Sequence, residues 1–126
     1  MTKLFQTLLF ILLFICTSAH ADVMLLIHGY LGDATSWEKS NINDELHQKG
    51  WQRAGMFLGS PQGPILFVTD YSDAGKLVYV ATLPSNDPVM IQSDVLKNII
   101  DIIQARHENE PVILVGHSAG GVVARM

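Results

Sequence analysis

Ser118 lies in Gly116-His117-Ser118-Ala119-Gly120, a G-x-S-x-G pattern directly after the apolar run Val112-Ile113-Leu114-Val115. A serine so placed can act as a nucleophile. The chain must reverse within a few residues between a strand and a helix, which forces the serine into a strained backbone conformation. Glycines on either side remove the Cβ atoms that would collide in so sharp a turn. The hydroxyl is thereby lifted above the sheet edge. The N-terminus of the following helix adds unpaired N–H groups and positive potential, both useful to a developing oxyanion. Gly121 adds another small residue at the helix–strand contact. Far upstream, His28-Gly29-Tyr30-Leu31-Gly32 follows a second apolar run, Val23 to Ile27. A glycine-containing loop there can turn a backbone N–H toward the same oxyanion.

These residues need a scaffold that brings two strand ends together. Val23-Met24-Leu25-Leu26-Ile27 and Val112-Ile113-Leu114-Val115 are continuous apolar runs, as expected of strands buried on both faces in a parallel sheet. Leu77 to Ala81 reads as another strand. Asn41 to Lys49 reads as a short helix with Ile42, Leu46 and Trp51 on one side and Gly50 as its stop. Asp87 is placed to cap a longer helix with Pro88 at its first position. Ile91, Val95, Ile99, Ile102 and Ile103 then recur at helical spacing to about Glu108. Ser118 to Met126 opens a last helix. Between Phe57 and Lys76 the pattern is less regular. Gly59 to Pro64 is a turn cluster, and Ile65 to Val68 an extra strand or hairpin arm. The alternation defines an α/β fold with a mostly parallel sheet and flanking helices, and open sheets of this kind hold their sites at the carboxyl ends of strands.

The chain has 126 residues, enough for one domain, with 8 Lys+Arg against 12 Asp+Glu. That acidic balance and the lack of a basic patch argue against a nucleic-acid partner. Lys3, the nine-residue apolar run Leu8 to Cys16 and the small-residue pattern Ala19-x-Ala21 have the organisation of a secretory signal peptide over residues 1–21. The run is too short to span a bilayer, which takes about 20 residues. Export to a secreted or periplasmic location is the expectation. Cleavage would remove the only cysteine, Cys16, and with it any disulfide or thiol chemistry. No spacing of His, Asp or Glu suggests a metal, and no glycine-rich loop suggests a nucleotide, so no cofactor is expected.

At the two loops the chain resembles the N-terminal part of an α/β-hydrolase, most like a secreted, bacterial-type lipase or esterase. His28 to Asp33 is similar to the oxyanion loop of such lipases. Gly116 to Arg125 is similar to their nucleophile elbow and its helix. The resemblance runs from about Val23 to Met126 and is weaker over Gly59 to Lys76. It implies Ser118 as the catalytic nucleophile and the N–H groups of Tyr30 and Ala119 as the oxyanion hole. His28, Gly29, Gly116, His117 and Gly120 form the supporting motif. The implied substrates are carboxylic esters, lipids among them, with transient contact to a lipid interface and no stable partner. Thioesterase, amidase, acyltransferase and lipid deacylase chemistry share the fold. Tyr30 and Trp37 are placed either to line an acyl pocket or to pack the core.

A serine hydroxyl needs a base, and the base an orienting acid. In this family both follow the serine. The eight residues after Ser118 include neither a histidine nor an acid. Upstream, His28 reads as a brace of its loop, and His47, His107 and His117 as solvated or structural. Asp33, Asp70 and Asp73 carry turn chemistry. Residues 22–126 are therefore expected to be a truncated α/β-hydrolase domain without its C-terminal strands. A non-catalytic relic or a binding protein is the reading from another class. Residues 22–126 expressed alone are predicted to be poorly soluble and to lack ester turnover. Soluble material that folds cooperatively and cleaves a short-chain ester at a Ser118-dependent rate would overturn both expectations.

Overall fold

The computed structural model describes residues 21–72 and 75–126. Its elements follow in the order β1 (Ala21–Ile27), α1 (Ser36–Lys39), α2 (Ile42–Gln48), β2 (Trp51–Leu58), β3 (Ile65–Val68), β4 (Gly75–Thr82), α3 (Val89–Arg106), β5 (Val112–Gly116) and α4 (Ala119–Val123). They form one five-stranded sheet in the order β3-β2-β4-β1-β5. Strands β2, β4, β1 and β5 run parallel, and β3 is antiparallel to β2. This is the mostly parallel α/β sheet expected from the alternation of runs. The segment read as an export signal lies outside the described residues except for its last, Ala21, which opens β1. Asp73 also lies outside them.

Strand β1 is apolar from Val23 to Ile27 because both of its faces are covered there. Val23, Leu25 and Ile27 pack with Val95, Ile99 and Ile103 of α3 and Val123 of α4. Leu26 packs on the other face with Trp37 and Val78, and Leu46 and Trp51 close over them. The four-residue spacing of Val95, Ile99 and Ile103 aims one stripe of α3 at the sheet, and burial of each such side chain contributes about 1.5–3 kcal/mol. Strand β5 differs from the expectation of full burial. It pairs only with β1, at the sheet edge, and Ile113 is 48% exposed.

Strand β2 is absent from the periodicity reading, and the reason is local. The register to β4 passes from Arg53 opposite Val78 to Gly55 opposite Tyr79, so Ala54 is bulged out. A bulge interrupts the period-two alternation on which strand recognition depends. Trp51 therefore begins β2 and does not extend the helix face before it. Gly55 is required here, since a Cβ would lie 2.7 Å from the Phe67 carbonyl oxygen. Ile65 to Val68 is the hairpin arm, paired with Gly55 to Leu58. Helix α1 is a single turn, too short to show a helical period.

The helix ends shift by a residue or two. Pro88, with φ −53° and ψ 147°, is the N-cap of α3 and not its first helical residue. Asp87 stands outside the helix, its carbonyl accepting from Gln92 Nε2 at 2.8 Å. The helix stops at Arg106 because Glu108 and Asn109 enter the left-handed region, with φ 52° and 61°. Gly50, with φ 90°, follows the C-cap of α2 as expected. Ile42 is 39% exposed and does not join the core beside Leu46. Helix α4 ends at Val123, where Arg125 and Met126 turn tighter, their N–H groups bonding three residues back.

One buried polar cluster ties α3 to the sheet. Tyr79 is fully buried on β4, and its hydroxyl meets His107 Nε2 at 2.8 Å and the Tyr71 hydroxyl at 3.3 Å. Arg106 donates to the Tyr71 hydroxyl at 3.2 Å. Burial, assisted by the Tyr71 hydroxyl, pushes the Tyr79 phenol up to about 12 from its ordinary value of 10.0. The folded state thus holds a proton that the unfolded chain releases first. The stability this contributes is complete below pH 10 and falls as pH rises toward 12. Tyr79→Phe should lower stability at neutral pH by about 1–3 kcal/mol by leaving polar partners unpaired. It should also flatten the alkaline fall, which urea titrations at neutral and alkaline pH would detect.

Candidate active site

The carboxyl ends of β1 and β5 carry the site. Their register places Ile27 opposite Gly116, and the His117 N–H donates to the Ile27 carbonyl at 3.0 Å. The ladder therefore reaches into the turn. Ser118 follows with φ 54° and ψ −120°, a strained backbone for any residue with a Cβ. The glycines around it are a steric requirement. A Cβ on Gly116 would lie 2.5 Å from the Gly121 nitrogen, and one on Gly120 would lie 2.3 Å from the His28 carbonyl oxygen. Gly121 has more room, its nearest such neighbour being 3.7 Å away. Gly116 packs on its backbone, and a methyl group at position 121 would make only ordinary contact there. Ser118 is exposed, and among the described residues no hydrogen bond reaches its hydroxyl.

The loop after β1 packs directly on this turn. A Cβ at Gly29 would lie 3.1 Å from His117 Nδ1 and 3.3 Å from Ser118 Cβ, so only glycine fits without displacement. The Gly32 N–H donates to the Gly29 carbonyl at 3.0 Å and closes a four-residue turn. Leu31 takes a φ of 57° there, a position that favours glycine or asparagine. Neither the Tyr30 N–H nor the Ala119 N–H bonds to another described residue. Both backbone donors are thus free for an external acceptor. Tyr30 and Leu31 are each 68% exposed. Tyr30 does not pack the core.

His28 is buried, and both of its nitrogens are engaged. Its Nδ1–H donates to the Gly29 carbonyl at 2.7 Å, while Nε2 accepts from the Leu83 N–H at 2.8 Å. The ring ties the loop to the end of β4 and has no nitrogen left for Ser118. His107 is buried beside Tyr79 as the C-cap of α3. His47 is exposed on α2. Asp33 accepts from the Thr35 N–H at 2.7 Å and from the Thr35 hydroxyl, the turn chemistry expected of it. Those bonds hold its carboxyl below the ordinary range. Among the described residues, no group of three or more His, Cys, Asp and Glu side chains is arranged to hold a metal.

A cavity of about 200 Å³ opens beside the turn, lined by His28, Ser36, Trp37, Ser40, Ile42 and His117. Trp37 both packs the core and lines this cavity, and its buried Nε1 has no partner among the described residues. Ser36, Ser40 and Ile42 were not legible as site residues. Their place depends on the one-turn α1 and on the rotation of α2.

A strained serine between a parallel strand and a helix, with a second strand-end loop pressed against it, defines an α/β-hydrolase-type protein. The PGAP1-like alpha/beta domain matches residues 19–126, and the chain belongs to that family. No curated protein matches it. Among solved structures, the product of gene lin2722 from Listeria innocua is similar in fold, with 22% identity and a TM-score of 0.69. The match covers 82% of this chain and 42% of the Listeria chain, so this chain corresponds to less than half of that structure.

The glycine geometry separates two neighbours. Gly120→Ala should lose at least ~2 kcal/mol, because its methyl group meets fixed backbone oxygens. Gly121→Ala should stay within about 1 kcal/mol of the parent. Urea unfolding midpoints of the two variants check the contrast.

Proposed function

We propose that the protein is a serine hydrolase of carboxylic esters, with Ser118 as its nucleophile. The observation that carries this reading is the exposed Ser118 at φ 54° and ψ −120°, with Gly29 against its Cβ. Ser118 Oγ attacks the ester carbonyl carbon, and its proton passes to a base. The Tyr30 and Ala119 N–H groups hold the resulting oxyanion. Collapse expels the alcohol and leaves an acyl-enzyme, which water cleaves to the free acid and the serine. Among the described residues no group serves as that base, since both nitrogens of His28 are engaged and nothing hydrogen-bonds to Ser118 Oγ. The cavity beside the turn takes part of the substrate.

Lipid esters are the proposed substrate class. The exposed apolar pair Tyr30 and Leu31 at the mouth of the site supports transient contact with a lipid surface. Export fits such a role, supported by the apolar run Leu8 to Cys16. The other reading, a non-catalytic binding protein, draws on the lack of a base at Ser118 among the described residues. A fluorophosphonate probe distinguishes the two in protein produced from its own gene. Rapid labelling that disappears in Ser118→Ala is expected. Labelling no faster than a heat-denatured control would leave the non-catalytic reading standing.

A further inference from the structure

Strand β3 stands at the end of the sheet and pairs only with β2. The Thr69 N–H donates to the Ala54 carbonyl at 3.1 Å, one step beyond the paired residues Val68 and Gly55. Bonded pairs alternate along an antiparallel ladder, so Phe67 and Ile65 also bond toward β2. Leu66 and Val68 therefore turn their N–H and C=O groups away from the sheet. Among the described residues, neither has a backbone partner in a turn or loop.

Open edges are ordinarily guarded by charge, by proline within the strand or by a bulge. Here those guards are missing. Gly59 to Thr69 holds no charged residue. Pro64 precedes the strand, and the bulge at Ala54 lies between β2 and β4. The side chains are apolar and open, with Ile65 55% exposed, Phe67 51% and Val68 52%. Met56 and Leu58, opposite Phe67 and Ile65, continue the exposed apolar surface on the same face.

An edge of this kind accepts another strand, and the spacing of its free groups matches its own copy. A twofold axis through Phe67 sets Leu66 of one chain opposite Val68 of the other. Each N–H then faces a carbonyl, and both residues exchange both bonds. Phe67 meets its own copy as the close, non-bonded pair, and Ile65 faces Thr69. The next bonded position sets Pro64, which has no N–H, opposite Asp70, so pairing stops there. No residue in this register meets a like charge, although the whole chain carries a net charge of −4.

We propose that the protein forms a symmetric dimer through β3, joining two five-stranded sheets into one. The pairing is antiparallel, so the two Ser118 turns face opposite ways. The dimer does not depend on the chemistry of Ser118.

Sedimentation velocity of the protein produced from its own gene tests this. With rising concentration the mass should reach twice that of a single chain, in the parent and in Ser118→Ala alike. Phe67→Lys, at a half-exposed position, should keep the mass of a single chain and the urea midpoint of the parent. Cross-linking in a Cys16→Ser background reads the register independently of that variant. Phe67→Cys brings two thiols onto the axis with Cα atoms about 4.5 Å apart, within disulfide reach. Thr69→Cys leaves its two copies about 14 Å apart, beyond that reach. Mild oxidation should therefore give a covalent dimer at least tenfold faster from Phe67→Cys than from Thr69→Cys. The proposal fails if the parent keeps the mass of a single chain, if folded Phe67→Lys still doubles its mass, or if the two cysteine variants cross-link equally fast.

Discussion

The close approach of two backbones at the ends of β1 and β5 underlies the whole site. The Ile27 carbonyl accepts from the His117 N–H, and Gly120 lies against the carbonyls of Ile27 and His28. No side chain larger than hydrogen fits at Gly120. The strained φ of Ser118 is thus held by a ladder on one side and by steric contact on the other. Strain of this kind persists only where its surroundings over-determine it. Burial of Ile27 and Val123 on the far side supplies the rigidity.

His28 extends this order to a third strand. Its neutral imidazole joins Gly29 to Leu83, so the loop after β1 is referenced to the end of β4 as well as to the turn. The free N–H of Tyr30 is therefore a product of three strand ends. Preorganised donors of this type avoid reorganisation when charge develops. The exposed Tyr30 and Leu31 side chains are free of that duty and face outward.

Legibility in the sequence followed from how locally each feature is encoded. Strand β1 could be read because both faces are buried, and α3 because Val95, Ile99 and Ile103 keep one period over many turns. The serine turn could be read because its glycines are steric necessities within a few residues of one another. Strand β2 could not be read, since the bulge at Ala54 shifts the alternation midway. The edge position of β5 was hidden because an apolar run does not reveal how many neighbours it has. The cavity lined by Trp37 and Ile42 was hidden for a different reason, as its walls come from turns whose mutual angle is set by packing.

The order of strands across the sheet also has a bearing on synthesis. Strand β1 is made before both of its neighbours, β4 and β5, so Val23 must wait for Leu77 and then for Val112. Until then its apolar residues and both of its edges have no native cover. Topologies that depend on such distant pairings fold slowly and leave unpaired edges open to other chains. The β1 strand of a nascent chain is therefore without its native neighbours until β5 has been made, and the serine turn cannot take its shape before then.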